Sequence, residues 1–280
     1  MDRTVHIVPL GHEIDRAVAP FELPEERGGL VAHRVHLLRI HPGDLPRGGG
    51  KTEEKLVGEQ PLYTGAVKKR LLAAGVREVR EVPVDPFRMD EIAARIAAIV
   101  VEERKRGNLV RINMSAAGKL AAVAATLVAM AHGVEAYYVV AREYPTAGGE
   151  RKTHGLSASR GEVVPLEVTS LGVPTFALPD PPAQRVLCEM GRKGQVSSAD
   201  LWALLRSAGL ARDPQSTGHR VRNEAARRGM AIKHFAEKFR RELSKEERGR
   251  ENIYRLSEYG EFVVRLCGEP HLSQKPAPSP

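Results

Sequence analysis

The sequence is poor in cysteine and in aromatic residues. Two cysteines, Cys188 and Cys267, occur among 280 residues, and phenylalanine, tyrosine and tryptophan together make up 5%. Cysteines so far apart lack the spacing of a structural zinc site and the density of a secreted disulfide scaffold. A single bridge between them stays open, although buried thiols need no such role. We predict no metal and no cofactor.

Long apolar runs are also absent. No stretch approaches the roughly 20 consecutive apolar residues of a membrane-spanning helix, and the first residues enter a strand pattern instead of a signal peptide. We therefore expect a cytoplasmic protein without a membrane partner.

Two glycine-rich nucleotide motifs are incomplete. Gly11 follows the first predicted strand without the companion glycines of a dinucleotide fingerprint. Gly50 and Lys51 resemble the end of a phosphate loop, but Leu45 stands where that loop needs glycine. We interpret residues 41–65 as a flexible loop, and both observations argue against the common dinucleotide and P-loop enzymes.

Strand and helix patterns alternate through the first 180 residues. The predicted strands cover residues 4–10, 35–40, 78–84, 109–114, 135–141 and 163–169. Helices are predicted at 64–74, from Asp90 to the charged run before Gly107, and at 116–132. This alternation predicts an α/β fold with a mostly parallel, doubly wound sheet.

The segment from Asn113 to Lys119 carries the strongest functional signal. It joins a predicted strand to a helix, where unpaired N–H groups and the helix dipole favour an anion. Asn113, Ser115, Gly118 and Lys119 are therefore placed to hold phosphate. A lysine is unfavourable at a helix N-terminus, which favours a ligand partner over a surface role for Lys119.

Polar residues also follow the first strand, in a turn that contains His12, Glu13, Asp15 and Arg16. Open α/β sheets bind ligands at the carboxyl ends of their strands. Residues 142–161 form a further connection, too long for a plain turn, that carries His154 among several cations. This connection is either a ligand lid or a surface loop.

Charge is concentrated in the last hundred residues. Residues 181–280 contain 19 Lys and Arg against 12 Asp and Glu, whereas the rest of the chain has 24 against 23. Such asymmetry indicates a nucleic acid or another anionic surface as partner, with a basic solvated surface as the alternative. The proline-rich connection at 178–182 marks the boundary between the two parts.

The pattern after this boundary is typical of a helix-turn-helix. A short helix at 183–190 precedes a helix capped by Ser197 and Asp200, and a third helix runs from Asp213 to about Arg228. The residues of this last helix that can point outward and contact phosphates or base edges are Ser216, Thr217, Arg220, Arg222, Asn223, Arg227 and Arg228. The alternative is a basic helix in a protein-interaction domain.

The remaining residues are less regular. A strand is predicted at 252–257 and a closing helix at 259–266. Ile232, Phe235, Phe239 and Leu243 follow helical spacing where a wing strand would already form, so residues 230–250 are either part of the wing or a helical insertion that contributes to dimerisation. Residues 271–280 are predicted to be disordered.

Taken with the element order, the turn after strand one and the Asn-x-Ser-x-x-Gly-Lys motif after strand four resemble the CRISPR-associated Rossmann-fold (CARF) sensor domain over roughly residues 3–175. Members of that family dimerise side by side and bind a cyclic oligoadenylate across the two-fold axis. The resemblance implies a ligand site that comprises Leu10, Gly11, His12, Glu13, Asn113, Met114, Ser115, Ala116, Ala117, Gly118 and Lys119, with His154 as a further candidate. Ala116 and Ala117 replace the Gly or Thr common in the motif, which leaves only backbone contacts there.

The resemblance implies a homodimeric transcriptional regulator of CRISPR-linked antiviral defence. Its parts would be a Rossmann-like CARF domain at 1–180, a mainly α winged helix-turn-helix domain at 181–270 that binds double-stranded DNA, and a tail at 271–280. Cyclic tetra-adenylate is the expected ligand. The alternatives are a ring nuclease that uses Ser115, Lys119 and His154, and a regulator that senses an unrelated nucleotide or metabolite.

Overall fold

The computed structural model describes residues 3–11, 13–40, 51–140, 162–166, 178–211, 224–249 and 251–268. The chain forms two compact units, residues 1–176 and 177–280, which we call the N-terminal and the C-terminal unit. Within the described residues, no helix combines the length and the apolar character that crossing a bilayer requires.

The N-terminal unit alternates strands with helices. Its strands are β1 Thr4–Pro9, β2 Arg34–Ile40, β3 Glu78–Val84, β4 Leu109–Asn113, β5 Glu135–Val140 and β6 Glu162–Leu166. Its helices are α1 Ile14–Glu22, α2 Lys51–Ala73, α3 Met89–Lys105 and α4 Lys119–His132. The predicted strands 78–84 and 109–114 agree with β3 and β4 to within one residue.

The strands form one six-stranded sheet in the order β3-β2-β1-β4-β5-β6. The five strands β1 to β5 run parallel, and β6 is antiparallel to β5. The chain builds the sheet outward from β1 to β3 and then returns to place β4 on the other side of β1. The predicted α/β fold with a Rossmann-like, mostly parallel sheet is confirmed, and its topological switch point lies between β1 and β4.

Side-chain alternation along β2 shows that helices cover both faces of the sheet. Val35 and Leu37 pack in the same apolar cluster as Val18 of α1 and Leu71 of α2. His36 lies between them in sequence and contacts Glu103 of α3. Because successive side chains of a strand point to opposite faces, α3 covers the face opposite α1 and α2.

A buried polar cluster connects β2 and β3 to the end of α3. The Glu103 carboxylate accepts hydrogen bonds from Arg34 at 2.8 Å, from His36 at 2.9 Å and from Asn108 at 2.6 Å. Arg34 also pairs with Glu78 at 2.6 Å. Burial alone would raise the pKa of Glu103, but the hydrogen bonds from His36, Asn108 and Arg34 outweigh it and lower that pKa to about 2. The cluster therefore keeps a satisfied negative charge inside the fold.

Helix α2 is longer than predicted. We expected a loop over 41–65 and a helix at 64–74, but α2 begins at Lys51 and contains Gly58 and Pro61. These two residues weaken the local helix signal. Buried side chains recur along α2 every three or four positions, namely Val57, Gln60, Thr64, Val67 and Leu71. Packing of that stripe against the unit outweighs the low propensity of the first turns.

In its described residues, the C-terminal unit combines four helices with a small sheet. Its elements are α5 Pro181–Lys193, β7 Val196–Ser197, α6 Ser198–Ser207, α7 Glu224–Lys238, β8 Leu243–Arg248, β9 Glu251–Leu256 and α8 Glu258–Leu266. The sheet is antiparallel with the order β7-β9-β8. Leu187, Leu201, Phe235 and Tyr254 contribute to one apolar core. The predicted capping box of Ser197 and Asp200 is confirmed at the start of α6.

Two expectations for the C-terminal unit were wrong. The helix predicted to end near Arg228 continues through Gly229 to Lys238, because Ile232 and Phe235 bury their side chains in the core. The helical spacing extended to Leu243 also fails, since residues from Leu243 onward form β8 and pair with β9. The side chains of β8 after Leu243 are exposed, so no apolar alternation marks this strand.

Several predictions fall outside the described residues. These are the connection at 142–161, the start of the third helix at 213–223 and the tail at 271–280.

Candidate ligand site at the switch point

The candidate site is the cleft at the carboxyl ends of β1 and β4, which we call the switch-point cleft. Leu10, Gly11 and Glu13 form its first side, and Asn113 to Lys119 form its second. The Gly11 N–H donates to the Ala116 carbonyl oxygen at 2.8 Å and joins the two sides through backbone atoms. A β-carbon on Gly11 would lie 3.1 Å from that oxygen and 3.2 Å from Ala117 Cα. A β-carbon at position 11 would therefore require the loop after β4 to shift by a few tenths of an ångström.

Asn113 and Ser115 shape the second side from within. Both are buried. Asn113 Oδ1 accepts from the Ser115 N–H at 2.8 Å and from Ser115 Oγ at 2.7 Å, and Asn113 Nδ2 donates to the Arg16 carbonyl oxygen at 2.9 Å. Ser115 Oγ in turn accepts from the Val139 N–H at 3.1 Å. Their polar atoms are thus engaged inside the protein, and we assign these two side chains to holding the loop rather than to contacting a phosphate.

The start of α4 faces open space. Gly118 is the residue before the helix and supplies no side-chain cap to its first N–H groups. A β-carbon added to Gly118 would meet nothing within 4 Å. Lys119 is exposed, and the first turn of α4 contains no acidic residue. Uncapped N–H groups, the positive end of the helix dipole and a lysine together make this end of the cleft suited to an anion.

Met114, Ala116 and Ala117 complete the loop through their main chain. The Met114 N–H donates to the Tyr137 carbonyl oxygen at 3.0 Å, and the Met114 sulfur lies 3.1 Å from Thr126 Oγ1. Ala116 is buried, while Ala117 is half-buried. The Met114 N–H and the Ala116 carbonyl oxygen are thus engaged within the fold.

Arg16 is a buried cation of the cleft that our candidate list omitted. It is 7% exposed and lies in the first turn of α1. Its Nε is 2.9 Å from Glu13 Oε2, and its Nη1 donates to Tyr138 Oη at 3.1 Å and to the Ser115 carbonyl oxygen at 3.4 Å. Arg16, like Lys119, is a cation at a helix N-terminus, where positive charge is unfavourable. An anionic partner is therefore expected for Arg16 as well.

Glu13 is the negatively charged partner of Arg16. Burial raises the pKa of Glu13, although the positive charge of Arg16 opposes the rise. The carboxylate makes no side-chain cap to α1, even though Glu13 occupies the cap position.

Gln60 of α2 supports the first side of the cleft. Its side chain is buried, and Nε2 lies 3.5 Å from the Leu10 carbonyl oxygen and 3.4 Å from that of Gly11. Interpreting residues 41–65 as a loop leaves Gln60 outside the predicted site. A helical stripe that includes positions 57, 60 and 64 is the signal that could have found it.

His6 and Tyr137 form an uncharged hydrogen-bonded pair beneath the cleft. His6 Nδ1 is 3.2 Å from Tyr137 Oη, and His6 Nε2 is 3.3 Å from the Val31 carbonyl oxygen. A carbonyl can only accept, so Nε2 carries the proton and Nδ1 accepts from the tyrosine hydroxyl. Burial, with a contribution from the charge of Arg111, lowers the pKa of His6 to about 3. Burial likewise raises the pKa of Tyr137, although a hydrogen bond from Asn113 opposes the rise.

Of the residues suggested for ring cleavage, Ser115 and Lys119 lie in the described part of the chain. The Ser115 hydroxyl is buried and engaged by Asn113 and Val139. His12 and His154 lie outside the described residues. Within the parts of the chain that the structure describes, no three His, Cys, Asp or Glu side chains cluster in a way that could hold a metal ion.

Two of the predicted DNA-contacting residues lie in the described part of the C-terminal unit. Arg227 and Arg228 lie in α7, whereas Ser216, Thr217, Arg220, Arg222 and Asn223 lie outside the described residues. A groove of about 1290 Å³ runs between α7 and the β8–β9 hairpin. The charged residues that line it are Arg228, Lys233, Glu237, Arg240 and Lys245, and Trp202 and Tyr254 contribute aromatic surface.

A family model matches the N-terminal part of the chain. The model of the family described as "HFX_2341_N:-like, N-terminal" matches residues 4–144, just over half of the chain. No curated protein matches the sequence.

Three solved structures are similar at low sequence identity. Protein VC1899 from Vibrio cholerae is 12% identical, with a TM-score of 0.38 over 94% of this chain and 64% of that one. Enterococcus italicus Csm6, bound to cyclic hexa-2'-fluoro-hexa-dAMP, is 8% identical, with a TM-score of 0.39 over 86% and 57%. Can2 from Sulfobacillus thermosulfidooxidans, in complex with cyclic tetra-adenylate, is 17% identical, with a TM-score of 0.33 over 86% and 71%. The chain thus spans 64% and 57% of the lengths of the first two.

Proposed function

The chain belongs to the family described as "HFX_2341_N:-like, N-terminal", and we propose that it is a CARF-type regulator. Its N-terminal unit binds cyclic oligoadenylate, with cyclic tetra-adenylate as the expected ring, and its C-terminal unit binds double-stranded DNA. The protein works as a homodimer in CRISPR-linked antiviral defence.

The open start of α4 at the switch point is the observation that carries the ligand part of this proposal. Open α/β sheets bind ligands at this point of the topology. The uncapped N–H groups of α4 and the exposed ammonium of Lys119 offer positive charge there. A cyclic oligoadenylate carries one negative charge per phosphate, and its phosphates would be held by these groups.

The second face of α4 supports the homodimer. The helix buries Ala121, Ala124 and Val128 inside its own unit. Leu120 and Val123 remain 44% and 47% exposed, and the half-buried Leu127 and Met130 continue this apolar face. A helix that is apolar all round calls for a second partner surface. A second copy of the chain is the partner we propose, because an interface along α4 would lie beside the switch-point cleft of both protomers.

The order of elements in the C-terminal unit supports DNA binding. Helix α5, strand β7, helices α6 and α7 and the β8–β9 hairpin follow one another in the order of a winged helix-turn-helix. The antiparallel sheet with β9 between β7 and β8 fits that fold as well. Of the charged residues that line the groove, four are cations and one is an anion, so the groove favours a phosphate backbone.

Regulation follows from linkage in this proposal. A ligand that prefers one arrangement of the dimer shifts the population toward it. DNA affinity changes only as far as the arrangements differ in their affinity for DNA.

Calorimetric titration of the purified chain with cyclic tetra-adenylate tests the ligand part. We expect saturable binding with one ring per dimer, and Lys119→Ala should weaken it at least about tenfold, or about 1.4 kcal/mol. Lys68→Ala is the matched control, because the Lys68 side chain is 44% exposed on α2 and pairs with Glu81. Absence of binding would refute the ligand proposal. Linear products in mass spectra of the mixture would instead identify a ring nuclease, and a different retained metabolite would identify another sensor.

A further inference from the structure

We propose that Arg16 is a phosphate-binding residue of the switch-point cleft. In the absence of ligand, Glu13 pairs with the Arg16 guanidinium, and the phosphate of a ligand displaces the Glu13 carboxylate. The inference rests on the proposed function, since it assumes a ligand that brings phosphate to this cleft.

Two neutral acceptors hold the guanidinium of Arg16 in place, one on β5 and one on the second side of the cleft. Tyr138 Oη lies at 3.1 Å and the Ser115 carbonyl oxygen at 3.4 Å from Nη1. The charged partner is Glu13, at 2.9 Å from Nε. An arginine positioned in this way is preorganised for an oxyanion, because carboxylate and phosphate accept from a guanidinium in similar geometry.

Glu13 lies on the solvent side of the pair. Its side chain is 30% exposed, against 8% for that of Arg16. An anion that approaches from solvent therefore reaches the position of the carboxylate before it reaches the guanidinium. Burial raises the pKa of Glu13, so the pairing with Arg16 does not fully compensate the carboxylate for its lost hydration.

The ligand phosphate and the Glu13 carboxylate exclude each other at Arg16, because both are negatively charged. Two like charges held next to the same guanidinium repel each other, and the repulsion is stronger in a partly buried site than in bulk water. A phosphate held by Lys119, the start of α4 and Arg16 would therefore drive the Glu13 carboxylate away. Glu13 occupies the cap position of α1 without capping it. The N–H groups of that first turn give the displaced carboxylate an acceptable alternative partner.

The inference predicts that removing the Glu13 charge strengthens binding. Glu13→Gln keeps the size of the side chain, and we expect it to bind cyclic tetra-adenylate about tenfold more tightly than wild type in a calorimetric titration. The same variant should unfold at a slightly lower temperature without ligand, because it loses its ion pair with Arg16. A gain in affinity together with a loss in stability is not expected of a residue with a purely structural role.

Asp15→Asn is the matched control. Asp15 lies in the same turn of α1 and pairs with Arg70 at 2.7 Å. The substitution changes the net charge equally, and we expect its affinity to stay within about twofold of wild type. Equal gains in both variants would reduce the effect to net charge and overturn the inference. Weaker binding by Glu13→Gln would also overturn it, since Glu13 would then contact the ligand directly.

Two further measurements separate the inference from the proposed function. Arg16→Lys in the Glu13→Gln background should lose the gained affinity, and unchanged affinity there would exclude a contact between Arg16 and the ligand. If no variant binds the cyclic ligand, the ligand proposal fails, and thermal shifts with inorganic pyrophosphate decide the inference. Greater stabilisation of Glu13→Gln than of wild type by pyrophosphate would support it, and equal or smaller stabilisation would overturn it.

Discussion

The Gly11 N–H and the Ala116 carbonyl oxygen, 2.8 Å apart, join the two sides of the switch-point cleft. The contact connects the end of β1 to the loop between β4 and α4, which are 105 positions apart in sequence. Because it involves backbone atoms only, the distance between the two sides depends on the absence of a side chain at position 11.

Gly11→Ala should therefore disturb the cleft. The added methyl would lie 3.1 Å and 3.2 Å from backbone atoms of Ala116 and Ala117, so the loops would have to move apart. We expect a loss of about 1–3 kcal/mol in the free energy of unfolding, measured with urea, and weaker ligand binding. Gly118→Ala is the control, since it meets open space and should change the stability by less than about 0.5 kcal/mol. Equal effects of the two substitutions would contradict this account.

Ser115→Ala tests whether that side chain holds the loop or contacts a ligand. The substitution removes the hydrogen bonds of Ser115 Oγ with Asn113 Oδ1 and the Val139 N–H, and leaves both groups buried. We expect a loss of about 1–3 kcal/mol in unfolding free energy. Ser207→Ala, at an exposed serine of α6, should be nearly neutral. Unchanged stability combined with lost ligand affinity would instead restore the predicted contact between Ser115 and phosphate.

His6 should make the stability depend on pH. Its pKa is about 3 in the folded protein and 6.5 in the unfolded chain. Between these values the unfolded state binds the extra proton, so stability falls as pH falls below 6.5, by up to about 1.4 kcal/mol per pH unit.

His6→Gln removes this titration, and its unfolding free energy should decrease less steeply than that of wild type between pH 6.5 and 5. At pH 8 His6 is neutral in both the folded and the unfolded state. Wild type and His6→Gln should therefore differ there by a constant offset in unfolding free energy only. Parallel curves across the acidic range would show that His6 does not carry the effect.

Val123→Glu tests the proposed interface along α4. A carboxylate on the apolar face should prevent two copies from associating, and light scattering after gel filtration should then give the mass of a single 30.7 kDa chain instead of a dimer. Leu62→Glu is the control, because Leu62 is 66% exposed on α2. A monomeric wild type, or a dimeric Val123→Glu variant, would remove α4 from the interface.

Regular patterns made most of the fold predictable. Buried apolar strands and the Ser197 capping box gave the right elements, because local chemistry and tertiary structure agree there. The start of α2 and strand β8 were missed for opposite reasons. Gly58 and Pro61 hide a helix that packing stabilises, whereas the exposed side chains of β8 give no alternation to detect.

The candidate site was predictable in its position but not in its contacts. Asn113 and Lys119 identify a strand-to-helix junction from sequence alone. The inward orientation of Ser115 depends on β5, and the pairing of Arg16 with Tyr138 joins residues that are distant in sequence. Such partners become visible only once the strand order is known.

Trp202, which lines the groove beside α7, is the only tryptophan of the sequence and belongs to the C-terminal unit. Fluorescence excited near the red edge of indole absorption therefore reports on that unit alone. An emission change on adding a ligand that binds the N-terminal unit would be an optical record of a signal passing between the units. If the C-terminal unit binds duplex DNA as proposed, the DNA would quench or shift the same fluorophore directly, and one native residue could follow both halves of the proposed response without an attached dye.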